Sequence, residues 1–73
     1  MIKIKTYDHE RVIRACLAEL KDNENKEIII NEAIALMQPE GRLFYKLEDS
    51  DTGKLLGYTI EDSNRNSIKQ FMR

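Results

Sequence analysis

Few side chains in this sequence have the type and spacing to do chemistry. They are His9, Cys16, the carboxylates Glu48, Asp49, Asp51, Glu61 and Asp62, and Glu32, which stands alone inside an apolar run. His9 belongs to the first turn of a helix and has no serine, cysteine or carboxylate constellation that reads as a triad. Cys16 falls on the apolar stripe of that helix, where a thiol packs as a small hydrophobe. As the single cysteine it forms no internal disulfide. The acids gather in "EDSD" and "IED", which a hairpin is expected to bring together as a docking point for basic groups or a weak cation site. Their spacing is not that of an EF-hand, and Asp and Ser in turns ordinarily bond nearby backbone N–H groups. No nucleophile–base pair, phosphate loop or metal set is present, so the reading is a non-enzyme without a cofactor or metal.

The bounds agree with a small binding protein. Seventy-three residues make a single domain, 1–73, with room for one modest core. The formal net charge of −1 mixes acids and bases evenly, which leaves no basic footprint for nucleic acid. No stretch reaches the ~20 apolar residues of a membrane span, and "MIKIKTYDHE" lacks the apolar core of a signal peptide. A cytoplasmic protein with no direct nucleic-acid or membrane partner is expected.

Several elements can position these residues. "MIKIK" alternates isoleucine and lysine, the period of a half-exposed strand. In "TYDHERVIRACLAELKDNEN", Val12, Ile13, Cys16, Leu17 and Leu20 form one helical stripe. Asp8 is the expected N-cap, Lys21 suits the C-terminal end of the dipole, and "DNEN" stops the helix. The run "KEIIINEAIALMQPEG" reads two ways. As a helix it aligns Ile30, Ala33, Ile34 and Met37; as a strand it aligns Ile28, Ile30, Glu32, Ile34 and Leu36. Three consecutive β-branched residues and a "QPEG" turn favour the strand. The strand would pair Leu36 with Leu43 and Ile34 with Tyr45, and would set Glu32 beside Leu47.

"RLFYKLED" and "KLLGYTIED" are strands joined by the "SDTG" turn, expected to pair Leu47 with Leu56, Tyr45 with Tyr58 and Leu43 with Ile60. Phe44 would then face away from the core. "SNRN" is a turn and "SIKQFM" a last strand. The predicted fold class is α+β: a small antiparallel β-sheet of four to five strands, in the order β-α-β-β-β-β, with one amphipathic helix packed on one face.

Two of these segments resemble a known family. "KEIIINEAIALMQPE" is similar to the docking strand of the phage uracil-DNA glycosylase inhibitor family, with Glu32-Ala33-Ile34 at the position of its Glu-Ser-Ile motif. "KLLGYTIEDSNRNSIKQFM" resembles the closing hairpin of that family, in the same order along the chain. The resemblance implies a cytoplasmic, DNA-mimicking protein inhibitor from a phage or mobile element, a host-defence antagonist that occupies the DNA-binding surface of uracil-DNA glycosylase. It implies Glu32 as the leading acidic contact, Ala33 and Ile34 as the docking strand, Leu36, Met37 and Phe44 as the lining of an apolar trap, and Glu40 as a further acidic contact. The family's second helix and its following strand have no counterpart here, Ala33 replaces its serine, and its strong acidity is missing. Two alternatives remain open. One is an antagonist of another host defence protein, such as a nuclease. The other is a winged helix-turn-helix DNA-binding protein, should residues 26–37 be helical.

Overall fold

A computed structural model describes residues 1–20 and 25–73. The elements run β1 (Ile2–Lys5), α1 (Glu10–Leu20), α2 (Lys26–Leu36), β2 (Leu43–Glu48), β3 (Leu55–Glu61) and β4 (Ser67–Met72). The fold is α+β, as predicted, with an antiparallel sheet in the order β1-β2-β3-β4. The single predicted helix is corrected to two. Of the five candidate strands, the one directly after the helix is α2 instead, and four strands remain among the described residues. Residues 21–24, which include Lys21 and most of the "DNEN" stop, lie outside the described residues.

Burial overrides β-propensity in α2. Three isoleucines in a helix cost together about 1 kcal/mol relative to good helix formers. Burying one isoleucine fully returns about 1.5–3 kcal/mol. Ile30 and Ala33 are buried, and Ile34 and Met37 pack against the same core, so the helical alignment of these four residues is the one realised. The helix closes with N–H bonds from Met37 to the carbonyls of Ala33 and Ile34, and Pro39 follows. The Arg42 guanidinium donates to the Leu36 carbonyl at 2.7 Å, satisfying a C-terminal acceptor that the helix cannot. In α1 the first ladder bond runs from Ile13 N–H to the His9 carbonyl, so His9 holds the capping position and the predicted cap, Asp8, precedes it by one residue.

The core lies between the helices and one sheet face. Ile13, Leu17 and Leu20 of α1 and Ile30 and Ala33 of α2 meet Phe44, Tyr58, Ile60 and Phe71. Phe44 is fully buried and stacks on Tyr58, ring centroids 5.2 Å apart. The predicted β2–β3 register is one residue off: Phe44 pairs with Ile60, Tyr45 with Thr59 and Lys46 with Tyr58. The strands depart from a uniform ladder between Leu47 and Glu48, which pair with Gly57 and Leu55, so Leu56 is the extra residue of a bulge. This shift turns Leu43, Tyr45 and Leu47 to the face away from the helices.

Gly57 is required by close approach. A Cβ there would collide with the Phe71 carbonyl oxygen and lie 3.0 Å from Met72 Cα. Gly57→Ala is therefore expected to destabilise by roughly 1–3 kcal/mol or more through forced backbone separation. Gly53, at φ +73° with open space around it, should lose only about 1–2 kcal/mol on substitution by alanine, from the left-handed backbone alone. Urea denaturation of both variants checks the order. Equal midpoints would mean that β3 and β4 do not approach this closely at Gly57.

Candidate protein-docking surface

The side chains singled out in the sequence do not converge. Glu32 is exposed on α2, and its Oε1 is 3.1 Å from Lys69 Nζ, which ties α2 to β4. Ala33 is completely buried in the core, so it is not a docking-strand residue. Ile34, Leu36 and Met37 are half-buried against the same core. Phe44, predicted to face away, is at its centre, and Glu40 is exposed in the turn after α2. The strand edge that the resemblance implies over residues 32–34 is one side of a helix. Its trap-lining residues are already in contact with this chain's own core.

The acids separate as well. Asp49 and Asp51 lie in the β2–β3 turn and Asp62 in the β3–β4 turn, at opposite ends of β3, so the expected single cluster does not form. Each turn is built on one aspartate. Asp49 Oδ1 accepts from the N–H groups of Asp51 (2.8 Å) and Thr52 (3.1 Å). Asp62 Oδ1 accepts from Asn64 and Asn66, both at 2.9 Å. These bonds hold both carboxyls below the ordinary value of 3.8, the Asp51 and the Asn66 N–H contributing most to each. Their role is turn chemistry. Among the described residues no set of His, Cys, Asp and Glu groups could hold a metal, and no pocket opens.

Two surfaces remain. On the face away from the helices, the register sets Lys3 by Leu47, Lys5 by Tyr45 and Leu43 by Glu61. Glu61 is only 6 % exposed, yet charged groups are seldom buried without a partner. Its partner is Lys3, whose ammonium lies 2.6 Å from Glu61 Oε2 and 5.0 Å from the Tyr45 ring centroid. Glu61 Oε1 is buried with no hydrogen-bond partner among the described residues. Sequence reasoning missed this pair. Its signal was the alternation of "MIKIK", which places both lysines on one face of an edge strand.

The second surface is the helix side of β1. Ile4, Lys46, Tyr58 and Phe71 form one row across the sheet. In that row Phe71 is 5 % and Tyr58 4 % exposed, but Ile4 is 41 % and its neighbour Ile2 46 % exposed. Met1 and Tyr7 are more exposed still. The helices therefore cover β4 and β3 and leave β1 open. No family model, curated protein or solved structure matches the chain.

Within the covered part, Tyr58 and Cys16 face each other. Burial first, and then the neighbouring Cys16 thiol, push the Tyr58 phenol well above its ordinary value of 10.0. A raised value in the folded state gives stability that is complete below pH 10 and is lost as pH rises beyond it, because the unfolded chain ionises first. Stability measured by urea should fall above pH 10, and Tyr58→Phe should lessen that fall. An equal decline in both proteins would remove Tyr58 as its cause.

Lys3→Met should cost roughly 1–3 kcal/mol, because it strands the buried Glu61 carboxylate; half-exposure of Lys3 sets the lower bound. Adding Glu61→Leu should recover most of that loss. Thermal melts of the single and double variants check this, and an unchanged Lys3→Met midpoint would show that the pair contributes nothing.

Proposed function

We propose that this chain is a non-catalytic protein-binding module that acts by occupying a surface of another protein. The observation that carries the reading is the graded exposure along the Phe71–Tyr58–Lys46–Ile4 row, which leaves Ile2 and Ile4 in water beside a packed core. Covering apolar surface returns about 25 cal/mol per Å², and a partner can collect what the chain's own helices do not. The finer form of the reading is antagonism of a DNA-acting enzyme, with uracil-DNA glycosylase as the target by resemblance. Support for it is that residues 54–72 make the turn-linked hairpin the resemblance calls for, and that Glu27 and Glu32 stand exposed on α2. The helical form of residues 26–36 removes the docking strand from that argument.

That same helix meets the condition set for a winged helix-turn-helix reading. The charges point the other way. Glu27 and Glu32 face solvent on α2, and the β2–β3 turn that would serve as the wing carries Asp49 and Asp51. A duplex would meet carboxylates at both places.

The test uses the wild-type chain and an Ile2→Ser/Ile4→Ser variant, each immobilised, with bacterial uracil-DNA glycosylase added at known concentration and excision assayed in parallel. Retention and inhibition by wild type, reduced in the variant at unchanged melting temperature, are expected. Full excision at large molar excess of this protein would remove the glycosylase as target. A lysate in which both baits retain the same proteins would remove the β1 surface from the reading.

A further inference from the structure

We propose that the free edge of β1 accepts an extended segment of a partner protein as a fifth strand, and that this segment alternates apolar and acidic residues. The inference rests on the protein-binding reading and names the chemistry of the partner.

Backbone geometry comes first. Thr6 N–H donates to the Phe44 carbonyl at 3.0 Å, which marks Thr6 and Phe44 as a hydrogen-bonded pair. Such pairs alternate along an antiparallel ladder. In the observed register Ile4 with Lys46 and Ile2 with Glu48 are then bonded pairs. The N–H and C=O groups of Lys3 and Lys5 consequently point outward, away from β2. Among the described residues no strand of the sheet lies beyond β1. An added strand would satisfy those groups, the usual source of affinity in strand addition.

Side chains then define what fits. Residues of the added strand opposite Ile2 and Ile4 would lie on the helix side, where both isoleucines are exposed, and apolar residues suit them. Residues opposite Lys3 and Lys5 would lie on the other face, and carboxylates suit them. Lys3 is already engaged by Glu61, whereas Lys5 is exposed and makes no ion pair among the described residues.

A second copy of this chain is the obvious rival, and charge argues against it. β1 alternates strictly as Ile-Lys-Ile-Lys. Any pairing of two β1 strands that sets isoleucine beside isoleucine also sets lysine beside lysine. Lysines on an edge discourage self-pairing in this way, and they leave the edge open to a strand of opposite charge.

The probe is an end-blocked peptide of alternating glutamate and valine, titrated into the isotope-labelled full chain and followed by NMR, with an alternating lysine–valine peptide as control. Saturable shifts centred on residues 2–5 are expected. Exchange of the Lys3 and Lys5 amides should slow on binding, while the Ile2 and Ile4 amides, already bonded to β2, should change little. Lys5→Glu should weaken the glutamate peptide about tenfold and favour the lysine peptide, since charge opposed across an edge sets partner choice. Lys5→Pro removes an outward donor without breaking a bond to β2, and should also weaken binding while the melting temperature holds. Shifts centred elsewhere, or affinity untouched by Lys5→Glu, would overturn the proposal. So would concentration-dependent protection of the Lys3 and Lys5 amides without peptide, which would make a second copy the occupant. If the wild-type chain holds a protein partner that the glutamate peptide fails to displace, the edge inference falls and the protein-binding reading stands.

Discussion

The extra residue at Leu56 decides which side of β2 meets the helices. β2 is apolar on both faces: Leu43, Tyr45 and Leu47 on one, Phe44 on the other. With Leu56 absorbed in a bulge, Phe44 lies opposite Ile60 and stacks on Tyr58 beneath α1 and α2. Leu47 passes to the far face, opposite Gly57, and is buried there outside the main core. The missing Cβ of Gly57 lets β4 come close enough to bring Phe71 under the helices. A one-residue slip would exchange these faces as a block. Phe44 would leave the core, and Lys3, carried with β2 to the other face, would lose Glu61 of β3.

The open helix-side face of β1 follows from where the helices sit, not from how wide they are. Four strands at about 4.8 Å spacing span roughly 14 Å between the outer two, a width that two helices packed at 8–10 Å can cover. Here the helix layer is anchored at the far side. Glu32 of α2 holds Lys69 of β4, and Cys16 of α1 faces Tyr58 of β3. Phe71 lies under that layer, and Ile4 is left on the margin.

How much of this was legible in the sequence depends on how many faces of a segment are apolar. β1 and α1 each have one apolar face, and their type follows from period alone. The "SDTG" and "SNRN" turns announce themselves through small polar residues and glycine, and each is held by the aspartate just before it, Asp49 and Asp62. Residues 26–36 are apolar nearly all round, so neither period dominates, and local β-branching pointed to a strand where tertiary burial of Ile30 and Ala33 makes a helix. β2 has the same ambiguity, and a bulge leaves no compositional mark when its extra residue is a leucine. The site inference failed with the helix assignment. A residue counted as facing outward on a strand, such as Ala33, turns inward once the period is 3.6.

The charges on β1 carry the argument one step further. Lys3 cannot serve a partner freely, because Glu61 is buried and Lys3 is its one ion pair among the described residues. A carboxylate drawing Lys3 away would leave that buried charge uncompensated, at a cost that exceeds what an exposed pair returns. Tyr45 adds to the same restraint by offering its ring face to the Lys3 ammonium. Lys5 has no such obligation. The two lysines of one short strand thus divide the work: Lys3 fixes the strand to the sheet, and Lys5 is the charge left to select what pairs with its edge. Selectivity for an acidic residue in an added strand should then concentrate opposite Lys5, while the position opposite Lys3 tolerates an uncharged polar side chain.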